Sequence, residues 1–284
     1  MSVATILADA WRTLFLTASA PLTGGVLLAA IGRVTGARWE AAMAPALGMR
    51  LAIVGAALIG LAQIATPPPP HLALWMSPVA VGVRAVVAVG LLAFAGARIA
   101  GGASVTFAAV MLALYAAFVT PVATDWLLGQ VPGHAVSSAG MMLFVEQIAG
   151  ACALVLVSGR GDARFRADMA KLMVAAALGL SYLMFMDYVI LWFGNLPSRV
   201  GFYVARSNAA GAVAVWLALI AGLAMPIATL WLRVDERIAG AAVLIALFTA
   251  NLWWVGGGAA TWLAAAAGLA VIVAATRWRV GSRG

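Results

Sequence analysis

The chain has 284 residues, of which 65% are hydrophobic and 9% charged, and its mean hydropathy is +1.07. That balance excludes a soluble globular domain and fits a polytopic membrane protein, a single integral domain over residues 1–284. The net charge of +8 comes from Arg in sixteen of seventeen cationic positions, and these fall mostly in short loops between apolar runs. That placement points to membrane topology and excludes nucleic acid as a partner.

Runs of about 20 apolar residues cross a bilayer, and continuous rather than alternating runs mean helices. Nine spans are expected, at 13–33, 44–65, 77–97, 104–124, 138–158, 171–195, 208–231, 239–256 and 258–276. The first reads as a retained span, since it lacks the basic flank and small-residue cleavage site of a signal peptide. Pro67–Pro70 reads as a stiff loop. The last two spans are separated only by Gly256–Gly258, which predicts a tight hairpin.

The loops set the expected orientation. Thirteen cations, among them Arg33, Arg38, Arg50, Arg98, Arg160, Arg166, Lys171 and Arg237, fall on one side. Arg12, Arg199 and Arg206 fall on the other, and Arg84 lies inside a span. The positive-inside rule then puts the N-terminus in the periplasm and the C-terminus in the cytoplasm, with the chain in a bacterial inner membrane. Trp39, Trp75, Trp126, Trp192, Trp231, Trp253 and Trp254 fall near span ends, where interface anchors belong.

Few residues carry chemistry. Transmembrane haem needs paired axial ligands inside spans, and the two histidines, His71 and His134, read as loop residues. Iron–sulfur and nucleotide motifs are absent, and the lone Cys152 reads as a small buried hydrophobe. No cofactor is therefore expected within this chain. Ionisable residues inside spans are functional candidates by default. Arg84, Glu146 and Asp187 fall about 10 to 12 Å from the same side, at 1.5 Å of rise per residue. If their helices touch, Arg84 compensates one carboxylate and the other exchanges protons, with Ser181 and Tyr182 continuing a path from Asp187. The alternative is a structural ion pair between Arg84 and Asp187 or Glu146. Asn251 reads as interhelical glue, and Asp125 as a cap or anchor for a loop.

The segment LSYLMFMDYVILWFGNLPSRVGFYVAR (180–206) resembles a signature of the F subunit of alternative complex III, in the NrfD/polysulfide-reductase-like family of membrane proteins. Tyr182, Phe185, Ile190, Trp192, Asn195, Pro197, Tyr203 and Arg206 carry that likeness. Four further stretches resemble family motifs in the same order. They are GRVTGARWEAA (32–42), MSPVAVGVRAVV (76–87) with Arg84, TPVATDWLLGQVPGHAVSS (120–138) with Asp125, Trp126 and Pro132, and FVEQIAGACAL (144–154). The family has Gln where this chain has Asp187, a small residue at Glu146, and a Glu pair at Ser198-Arg199.

The resemblance implies an NrfD-like four-helix-bundle architecture and a cofactor-free subunit of a quinol-oxidising respiratory complex, associated with a proton route. It implies haem c, iron–sulfur clusters and quinone in partner subunits. Those partners would be a quinone-binding NrfD-like subunit, cytochrome c subunits and a terminal oxidase, all within membrane lipid. The other readings of the sequence are a purely structural membrane anchor for redox subunits and a small-solute transporter.

Overall fold

The computed structural model describes residues 2–37, 39 and 70–281, apart from 130–133, 135, 195, 196 and 233, together with single positions between 56 and 64. Among the described residues every regular element is helical. In chain order these are α1 (Val3–Thr35), α2 (Pro78–Ala100), α3 (Val105–Leu128), α4 (Ala139–Ser158), α5 (Ala163–Phe193), the short α6 (Pro197–Val204), α7 (Ala209–Trp231), α8 (Glu236–Val255) and α9 (Ala259–Gly281). Seven of them are long and apolar enough to cross a membrane; the apolar stretch Ala259–Ile272 of α9 is shorter. The molecule is thus an all-helical integral membrane protein.

Local sequence sets the boundaries. Side chains of Ser2, Ser77, Ser104, Asp162 and Asn208 accept hydrogen bonds from the first-turn amides of α1, α2, α3, α5 and α7. These are the residues that favour an N-cap, because the opening N–H groups of a helix have no internal partner. Gly36 and Gly159 close α1 and α4 with φ of 73° and 64°, a conformation that costs glycine little.

Helix α4 forms the centre, packed against α1, α5 and α8. Lipid tails are as apolar as a leucine, so close packing rather than hydrophobic exclusion holds helices together in a bilayer. Small residues provide it. A Cβ on Gly24 of α1 would overlap the carbonyl oxygen of Gln147 on α4, and one on Gly240 of α8 would lie 2.7 Å from the carbonyl oxygen of Ala153. Ala149, Ala151, Cys152 and Ala153 are consequently buried. By contrast α3 and α7 turn Leu114, Phe118, Val213 and Trp216 outward.

Arginines tie helix ends together at two places. Arg33 donates to the carbonyls of Ala103 (3.0 Å) and Gly102, tying the end of α1 to the α2–α3 turn. Arg166 pairs with Glu236, joining the starts of α5 and α8.

Two expectations change. The first span begins at Val3 rather than 13, so Arg12 is no loop residue. It is 1% exposed within α1. Its Nη1 donates to Asp9 one turn earlier (2.9 Å), and Nη2 donates to the carbonyl of Ala62 (2.9 Å). Neutralisation by Asp9 lets the apolar helix continue past an arginine. Helix α5 starts at Ala163, eight residues before the expected 171. The expected span 44–65 falls mostly outside the described residues, where Ala56, Leu58, Ile59 and Ala62 are helical.

Gly24→Val should cost about 3 kcal/mol of stability, since overpacked side chains cannot relax against a neighbouring backbone. Thermal unfolding in detergent measures it. An unchanged transition would show that α1 and α4 are not held by this contact.

Candidate functional site

The three ionisable residues expected in one layer occupy three separate networks. Arg84 on α2 faces α3. Its Nε donates to Asp125 Oδ2 (2.6 Å) and its Nη2 to Oδ1 (2.8 Å), a two-pronged charge-assisted pair. Nη2 also donates to the carbonyl of Trp75, whose ring lies 4.2 Å below the guanidinium carbon. Asp125 is buried in a π-helical turn, Thr124–Leu128, at the end of α3. The wider turn re-aims the side chains that follow it and presents Asp125 to α2. Arg84 therefore compensates neither Asp187 nor Glu146, and Asp125 is an interhelical partner rather than a loop anchor.

Asp187 on α5 is buried. Its Oδ2 accepts from His134 Nε2 (3.0 Å) and from the hydroxyl of Tyr203 on α6. An ionised carboxylate only accepts, so toward such an Asp187 the His134 Nε2 is the donor. His134 Nδ1 is buried without a hydrogen-bond partner among the described residues. Burial, and next the hydrogen bond to Asp187, push the Tyr203 hydroxyl well above its ordinary range, so it remains a donor. The imidazole stacks on Phe202 at 3.8 Å with an 8° tilt. The Arg206 guanidinium carbon also lies 3.8 Å from that ring. Two groups that close to one ring must occupy opposite faces, so Phe202 separates His134 from Arg206.

Arg206 does further work. It donates to the carbonyls of Trp253 (2.8 Å), Trp254 (2.8 Å) and Phe202 (3.0 Å). The first two are last-turn carbonyls of α8, which have no partner within the helix and which a cation satisfies favourably. Burial pushes Arg206 down to about 10, against the attraction of Tyr203.

Glu146 on α4 forms the third network. It accepts from Asn251 Nδ2 on α8 (2.7 Å), and the same nitrogen lies 3.3 Å from Thr17 Oγ1 on α1. Asn251 thus joins three helices, as its reading as interhelical glue anticipated. The adjacent Gln147 accepts from the Tyr115 hydroxyl of α3.

Among the described residues no hydrogen bond joins Ser181 or Tyr182 to Asp187. Helical geometry explains this: five residues place Tyr182 about 140° around α5 from Asp187, and six place Ser181 about 120° away on the other side. Tyr182 is 61% exposed. The expected path from Asp187 through these two residues is not formed. Three tryptophans also differ from their expected role at the interface. Trp126, Trp253 and Trp254 are buried. Trp126 packs edge-on against Phe15 at 4.9 Å, and Trp254 Nε1 donates to the Leu127 carbonyl. Trp75, Trp192 and Trp231 are exposed as expected. Pro197 opens α6, where its missing N–H costs nothing, while Asn195 lies outside the described residues.

Sequence reasoning missed His134 and underused Tyr203. The available signal was stoichiometric. A buried acid needs donors, and His134 was one of two histidines able to supply one.

Neither a family model nor a curated protein sequence matches the chain. The fold and these three networks define an all-helical integral membrane protein with polar groups paired inside its bundle.

The Arg84–Asp125 pair should behave as a unit. Arg84→Gln and Asp125→Asn should each cost about 2 kcal/mol, because each removes the two-pronged charge-assisted pair between α2 and α3. The double substitution should cost no more than either single one. Thermal unfolding of the four proteins measures the coupling, and simple additivity would exclude it.

Proposed function

We propose that the chain is a cofactor-free membrane subunit of a quinol-oxidising respiratory electron-transfer complex, and that it contributes a proton-exchanging group. The ordered motif resemblance across residues 32–206 supports the assembly. Its partners would hold haem c, iron–sulfur clusters and quinone, and the bundle would have the NrfD-like architecture. The bacterial inner membrane is the proposed location. The N-terminus is periplasmic and the C-terminus cytoplasmic, which places the arginine-rich loops at the cytoplasmic surface.

The observation that carries the proton role is the buried Asp187, held by His134 and Tyr203. A carboxylate flanked by an imidazole and a phenol has two groups through which a proton can arrive or leave. Asp187 is the exchanging acid, His134 the adjacent carrier, and Tyr203 the donor that holds the carboxylate in place. Glu146, bonded to Asn251 and set in the seam of α1, α4 and α8, is a second protonatable site. Arg84 tunes neither acid and locks α2 to α3 through Asp125. That pair favours an additional structural contribution, in which the α2–α3 unit stiffens the membrane anchor.

Two experiments test this reading. Purification of the tagged chain in mild detergent should bring cytochrome-containing subunits with it; isolation as a lone monomer would favour a transporter. In the intact assembly, Asp187→Asn should lower the number of protons moved per electron while the complex still assembles. Unchanged proton stoichiometry together with unchanged turnover would remove the proton role.

A further inference from the structure

The turn between α8 and α9 forms one wall of a recess of about 390 Å³, large enough for a small polar group. Arg206, Asn208, Gly256, Gly257, Gly258 and Trp262 line it. Because α8 ends at Val255 and α9 begins at Ala259, the recess lies at a span end, where a bilayer gives way to water.

Three features of this recess favour a negative charge. The first is Arg206. Its three hydrogen bonds all go to carbonyls, so two of its five N–H groups remain unused. Among the described residues no carboxylate pairs with it. A Cβ on Gly256 would lie 3.1 Å from its Nη2, so glycine lets the guanidinium come close to the turn. The second feature is the start of α9. Gly258 precedes the helix and has no side chain to cap its opening amides. A glycine-rich turn running into a helix N-terminus directs backbone N–H groups and the positive end of the helix dipole at one point.

The third feature is a pair of side chains in the first turn of α9. Thr261 is fully buried, at 0% exposed, and its Oγ1 has no partner. A Cβ on Gly257 would lie 2.7 Å from that oxygen, so the hydroxyl is directed at the glycine turn. Trp262 Nε1 is also buried without a partner. An indole N–H only donates, and a buried donor left unmatched is costly. No acidic residue lines the recess among the described residues, and Asn208 Oδ1 is already occupied in capping α7. The recess is therefore rich in donors and poor in acceptors.

We propose that this recess binds a phosphate group, carried by an anionic phospholipid or by a water-soluble phosphate. Its oxygens accept from Arg206, from the opening amides of α9 and from the Trp262 indole. A phosphate suits the recess because several oxygens can accept from donors that arrive from different directions. The site does not depend on the respiratory reading, and no proton or electron transfer is assigned to it.

The test uses the full chain in dodecyl maltoside, at ionic strength held constant with chloride. Thermal unfolding is followed against added inorganic phosphate, dioctanoyl-phosphatidylglycerol and dioctanoylglycerol. A ligand that binds the folded state raises the transition as its concentration rises. A phosphate-bearing ligand should do so, and the more potent of inorganic phosphate and phosphatidylglycerol identifies the source. Dioctanoylglycerol, with the same chains and no phosphate, should not. Trp262→Phe keeps a ring and loses the N–H, and should weaken binding about three- to tenfold, the value of one hydrogen bond. At Gly258 an added Cβ meets nothing within 4 Å. Gly258→Asp therefore places a carboxylate where the phosphate would sit, and it also caps α9. It should raise the transition without ligand and abolish the response to phosphate. If Trp262→Phe fails to fold, Gly258→Asp decides. No response to either phosphate-bearing ligand beyond that to dioctanoylglycerol, or an undiminished response in Gly258→Asp, would overturn the proposal.

Discussion

Hydrocarbon offers no hydrogen bonds, so every polar group carried into the bilayer must find its partner within the protein. Most of the polar architecture of this chain follows from that single constraint. Asp9 answers Arg12, Asp125 answers Arg84, His134 and Tyr203 answer Asp187, and Asn251 answers Glu146. Each solution links elements that sequence order alone would not bring together, except the Asp9–Arg12 pair within α1. Charge is thus distributed as local, closed arrangements rather than as one continuous layer.

The same constraint governs packing. Buried polar side chains require close backbones around them, and glycine permits that approach. Gly24 seats α1 against the carbonyl of Gln147, the residue next to Glu146, and Gly240 seats α8 against α4. The Thr17–Asn251–Glu146 link therefore occupies a seam that small residues have already drawn tight. Helices α3 and α7, which carry fewer buried residues, each contain a π-helical turn. In α3 that turn is where Asp125 is delivered to Arg84.

The helical class and most span positions were legible in the amino-acid order, because hydropathy is a local property. The importance of Glu146 and Asp187 was legible too, since a lone acid in an apolar run is conspicuous. Their partners were not. Arg84 had two acids at its expected depth, Glu146 and Asp187, and its partner is neither of them but Asp125, delivered by the π turn at the end of α3. Tyr182 was attractive by proximity in sequence, but the 3.6-residue period turns it away from Asp187. His134 looked like a loop residue because it lies outside the helices; what sequence could not convey is that its side chain is buried, with the imidazole flat on Phe202. Arg12 was assigned to a loop because the first span was expected to begin at 13, and the neutralising Asp9 one turn earlier was overlooked.

Phe202 lies between two groups with different tasks. On one face is the imidazole that touches the buried acid; on the other is the guanidinium that secures the last carbonyls of α8. Immediately beyond those carbonyls the chain reverses through Gly256 and Gly257, both at positive φ. A single aromatic ring thus sits between the imidazole that holds Asp187 and the guanidinium that closes α8. Whatever moves that ring would loosen the buried carboxylate and the turn into α9 together.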